Sequence, residues 1–122
     1  MAIFNKQRQV MPSASIPFEL KNGETVQLEI SWSIIERLRV GRDECYADFT
    51  RVLTKGSEDI MDQMRVLYAA YRGGYLSQHG STKDAMSYMD FLELVPDDIR
   101  SVSETVAALL DPKSKRGSEA LS

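Results

Sequence analysis

The chain is poor in the residues that do chemistry. It holds one cysteine and one histidine in 122 residues. A single Cys45 excludes an intrachain disulfide, and with it the disulfide-stapled secreted scaffolds. No CxxC, HExxH, GxSxG or GxxxxGK[ST] pattern occurs. Long apolar runs are missing too. Val66 to Tyr71 and Val106 to Leu110 are the longest, far below the roughly 20 residues that span a bilayer. The first fifteen residues contain only a short apolar patch, so no signal peptide is expected and the expected compartment is a cytoplasm. What remains is 43% hydrophobic and 27% charged, the composition of one globular domain.

Charge is scarce in one sign over one stretch. Overall, 15 basic and 18 acidic residues give a net charge of −3. From Asp84 to Asp111, however, Asp84, Asp90, Glu93, Asp97, Asp98, Glu104 and Asp111 face Arg100 alone. Such a surface repels phosphate backbones, so nucleic-acid binding by the core is disfavoured. A solvated, solubility-conferring face explains it, and so does a face for a basic protein partner.

The pattern along the chain predicts an α+β, mostly α-helical fold: an N-terminal β-hairpin followed by about five short helices. Residues 1–15 read as a flexible arm, 16–111 as the single domain and 112–122 as a flexible tail. Ile16, Phe18 and Leu20 alternate with polar neighbours, as do Val26, Leu28 and Ile30. Asn22-Gly23 between them predicts a two-residue hairpin turn. Ser33 with Glu36 fits a capping box for a first helix bearing Ile34, Ile35 and Leu38, closed by Gly41. Cys45, Phe49, Val52 and Leu53 mark a second helix, ended by Lys55-Gly56. A third starts at Ser57, with Ile60, Met64, Leu67, Tyr68, Tyr71 and Tyr75 on one side. Gly73-Gly74 should end or loosen it, and residues 78–85 read as a mobile loop. Ser87 caps a short fourth helix, with Met86 and Phe91 at staple positions. Pro96 is placed near the first turn of a fifth helix, with Asp97 and Asp98 at its positive end and Ile99, Val102, Val106 and Leu109 as its stripe.

Each candidate reactive group has a plainer explanation. Cys45 lies on an apolar stripe, where cysteine behaves as a small hydrophobe. His79 falls in the Gly/Ser-rich loop, without an orienting acid. One His, one Cys and scattered carboxylates lack zinc spacing, and no alternating oxygen ligands surround Asp97-Asp98. No catalytic, metal or cofactor residue is assigned. Tyr68, Tyr71 and Tyr75 share a helix face that suits either a core or a partner groove. Met61, Met64, Met86 and Met89 suit adaptable surface or irregular core filling. Tyr68, Tyr71, Tyr75, Met89, Asp97 and Asp98 are the candidate partner-binding residues.

The arrangement resembles a tail assembly chaperone of long-tailed bacteriophages and prophages. Three features carry the likeness. A hairpin ends in Val26-Gln27-Leu28-Glu29-Ile30, and a helix contains Met64-Arg65-Val66-Leu67-Tyr68-Ala69-Ala70-Tyr71. The run from Met86 to Asp98, which contains Ser87-Tyr88-Met89-Asp90-Phe91-Leu92-Glu93-Leu94-Val95-Pro96, then leads into an acidic helix. The resemblance covers about residues 16–111. It implies a non-enzymatic protein of viral tail morphogenesis in the host bacterial cytoplasm, absent from the mature virion. The implied partner is a tape measure protein. A longer frameshifted form of the same chain and a homo-oligomer stay open, and neither nucleic acid nor membrane is implied. The rival readings are a structural head–tail connector or tail completion protein and a small nucleic-acid-binding regulator. The latter should carry a basic recognition helix, yet Arg37, Arg39 and Arg42 are balanced by Glu36, Asp43 and Glu44.

Overall fold

A computed structural model describes residues 14–55 and 59–110. Two antiparallel strands, β1 (Ala14–Glu19) and β2 (Thr25–Ile30), precede five helices. These are α1 (Trp32–Val40), α2 (Cys45–Lys55), α3 (Ile60–His79), α4 (Tyr88–Leu94) and α5 (Ile99–Leu110). The α+β, mainly helical architecture is therefore as the sequence pattern implies. Strand β1 starts at Ala14, inside the stretch read as an arm, while residues 1–13 and 111–122 lie outside the described residues. So do Gly56 and Ser57.

The hairpin register runs from Ala14↔Ile30 to Glu19↔Thr25. The Leu20 N–H donates to the Glu24 carbonyl at 2.8 Å, and the Gly23 N–H donates to the Leu20 carbonyl at 3.0 Å. The loop is thus Lys21-Asn22-Gly23, three residues rather than the expected two, with only Gly23 in the left-handed region at φ +88°. A Cβ at Gly23 would meet nothing within 4 Å, so a side chain there costs conformational energy alone. Gly23→Val should lower stability by about 1 kcal/mol or more. An unchanged melting temperature would contradict the turn.

Two helix starts differ from expectation in detail. Ser31, not Ser33, caps α1: its Oγ accepts from the Ile34 N–H at 3.3 Å. Asp59 caps α3, accepting from the Asp62 N–H at 2.9 Å. At α5 the placement is as expected: Pro96 stands just before the first turn, and Asp98 opens the helix by accepting from the Ser101 N–H. Ser87 caps α4 as expected, accepting from the Asp90 N–H. Helix α1 ends with Arg42, not Gly41, in the left-handed conformation at φ 58°. The Asp43 N–H then donates to the Leu38 carbonyl, a Schellman closure without the usual glycine.

Helix α3 runs straight through Gly73-Gly74 and ends at Gly80, φ +79°. His79 is therefore its last residue rather than part of a loop. The two glycines do not loosen it; they let it touch β2. A Cβ at Gly73 would sit 2.5 Å from the Glu29 carbonyl oxygen, and one at Gly74 would overlap the Gln27 carbonyl oxygen. Around this contact lies one core. Phe18, Leu28 and Ile30 of the hairpin meet Phe49 and Val52 of α2, Val66 to Tyr71 of α3, Phe91 of α4, and Val102, Val106 and Leu109 of α5.

Candidate functional site

Tyr68 and Tyr71 are core residues, 2% and 4% exposed, and so cannot anchor a partner. Their hydroxyls have a structural task. The Tyr68 hydroxyl donates to the Met86 carbonyl at 2.7 Å, and the Tyr71 hydroxyl accepts from the Met86 N–H at 2.9 Å. Together they satisfy both backbone groups of Met86 and tie the segment before α4 to α3. Phe91 stacks on Tyr71, with ring centroids 5.0 Å apart, and tilts against Tyr68 at 5.5 Å. Burial raises the pKa of both tyrosines above the ordinary 10.0. The native state then holds protons that the unfolded chain has released. The stability these groups carry is present below pH 10 and should decline as pH rises beyond it. Chemical denaturation at successive alkaline pH values checks this; a rise in stability there would contradict it.

One polar network enters the core. The Asp43 carboxylate, 6% exposed, accepts from the Arg72 guanidinium at 2.7 Å and from the Cys45 N–H at 2.9 Å. Arg72 also donates to the Tyr68 hydroxyl at 3.0 Å. Asp43 thus closes α1, opens α2 and pairs with α3. Burial pushes the adjacent Cys45 thiol up, and the neighbouring Asp43 carboxylate adds to the shift. A thiol held protonated is a poor nucleophile. His79 is exposed at the far end of α3, its ring 4.2 Å from that of Tyr75. Among the described residues, no three His, Cys, Asp or Glu side chains are grouped to hold a metal. Among them also, no helix is long and apolar enough to cross a membrane.

The surface offers a different site. Met61 and Met64 of α3, Leu92 of α4, the Val95-Pro96-Asp97 linker, and Ile99 and Val102 of α5 line a groove of about 280 Å³. Val95 and Val102 are buried and form its floor. Met61 and Ile99 stand open on its walls at 50% and 67% exposure. Ile99 was expected on the buried stripe of α5. It escapes because it is the first helical residue, beyond the reach of the core. Met89 is exposed one turn of α4 before Leu92. Asp97 lines the groove and is held by an exposed pair with Lys21 at 3.0 Å. Asp98 follows it and caps α5.

The six candidate residues thus separate. Met89, Asp97 and Asp98 lie in or beside the groove. Tyr68 and Tyr71 lie in the core. Tyr75, half-buried, lines a separate concavity of about 380 Å³ with Glu24, Gln27, Gln78, His79 and Met86. Sequence reasoning did not assign Leu92, Val95, Pro96 or Ile99 to a site, and it left Met61 and Met64 between adaptable surface and irregular core filling. The available signal was the local density of apolar residues flanking Pro96, next to an acidic run.

Comparison of the chain with protein-family models, with curated proteins and with solved structures gives no match.

Proposed function

We propose that this protein is a non-enzymatic assembly chaperone of a long-tailed phage or prophage, holding the tape measure protein while the tail tube forms around it. The observation that carries the reading is the open, methionine-lined groove beside α4 and α5. Its walls are apolar and exposed, which is how a protein that holds clients must present itself. The buried thiol and the separated His79 support a non-catalytic role. The acidic surface of α4 and α5 argues against a nucleic-acid regulator.

A chaperone acts before the particle is complete and then leaves. Mass spectrometry of infected or induced lysates and of purified particles should find the protein in the first and not in the second. Its presence in stoichiometric amounts in particles would favour the head–tail connector reading instead.

A further inference from the structure

The groove constrains its occupant further. Its walls are helices, α3 on one side and α5 on the other, with the α4–α5 linker between. None of its lining residues belongs to a strand, so a client cannot add there as a further strand of a sheet. A helix brings its own main-chain bonds and needs only side-chain anchors. Met61 and Met64, and likewise Ile99 and Val102, are spaced three apart on their helices. Met61 and Ile99 stand out as the exposed walls, with Met64 part-buried and Val102 on the floor between them, a trough into which the side chains of a third helix can pack.

Charge sets the other half of the occupant. From Asp84 to the end of α5 the described surface carries Asp84, Asp90, Glu93, Asp97, Asp98 and Glu104 against Arg100. Asp97 lines the groove, and Glu93 and Asp98 are exposed chain neighbours of its lining residues Leu92 and Ile99. The Lys21–Asp97 pair is exposed on both sides and easily exchanged for a pair with an incoming cation.

We propose that the groove binds a basic amphipathic helix, with aliphatic anchors one turn apart seated between α3 and α5 and Lys or Arg side chains facing Asp97, Asp98 and Glu93. The site is that of the chaperone reading, on which this inference rests; the new content is the chemistry of the client segment. Apolar anchoring supplies the residence time, and the carboxylates speed encounter and reject acidic helices.

The test uses the full chain and synthetic labelled helices of about five turns, read by fluorescence anisotropy. One probe carries leucines one turn apart with lysine and arginine elsewhere. A second keeps the leucines and replaces the basic residues with glutamate. A third keeps the basic residues and replaces the leucines with serine. The first should bind at least about tenfold more tightly than either other, at moderate salt. Ile99→Ser, at an exposed position, should weaken it about tenfold or more with circular dichroism unchanged. Asp97→Lys with Glu93→Lys, both exposed, should mainly slow association. Equal binding of basic and acidic helices, or no binding of any probe by the folded protein, would overturn the proposal. So would sedimentation showing that Ile99→Ser dissolves a self-association, because the occupant would then be a second copy. The two readings fail separately. Binding of the basic helix without capture of the tape measure protein removes the tape measure. Capture without preference for the basic helix removes this inference.

Discussion

Gly74→Ala should be among the most destabilising single-methyl additions this fold can receive. In an ordinary helix interior the change gains about 1 kcal/mol, because glycine is the poorer helix former. Here the new Cβ would overlap the Gln27 carbonyl oxygen, with the Gln27 carbonyl carbon at 2.8 Å. Those atoms are backbone and cannot rotate away. Either α3 lifts off β2 or the hairpin bends, and both open the core at Leu28. Overpacking costs typically 1–3 kcal/mol, and a backbone clash lies at or above the top of that range. The net expected loss is about 3 kcal/mol, a large share of the 5–15 kcal/mol that holds a domain together. A lowered denaturation midpoint with an unchanged slope is the expected reading. A stabilised variant would show that α3 does not approach β2 so closely.

Phe91→Ala should cost about 3–5 kcal/mol. Phe91 is fully buried and packs on the rings of Tyr68 and Tyr71. Removing it leaves a cavity walled by two tyrosines whose hydroxyls are committed to Met86, so the site cannot collapse freely. The expected result is a two-state transition at much lower denaturant. A near-neutral change would place Phe91 at the surface and make it a client contact.

The two variants mark where the sequence was legible. Phe91 was readable because Ser87, Met86 and Phe91 sit at fixed cap and staple offsets, and such offsets are local. The hairpin was readable for the same reason: alternation plus Asn-Gly is a short-range signal. Its loop length was not, because whether the chain closes in two residues or three depends on where strand pairing ends. Gly73-Gly74 was misread. A glycine pair inside a helix looks like a breaker until a second backbone is seen against it, and that backbone lies more than forty residues earlier in the chain. The tyrosine face was ambiguous for an equally physical reason. Periodicity gives the face of a helix but not what covers it, and here α4 and Met86 cover Tyr68 and Tyr71. The groove was half legible. Its acids and methionines were visible, but its walls come from α3 and α5, and only folding brings them to either side of Pro96.

The central claim is that the groove holds a tape measure protein before assembly. Co-expression of this protein with the tape measure protein of the same genome, followed by pull-down at low salt, tests it most directly. The expected result is a soluble complex that the wild-type chain forms and Ile99→Ser with Met61→Ser forms poorly, both variants being at exposed positions. A tape measure protein that stays equally soluble alone, with no complex recovered, would contradict it.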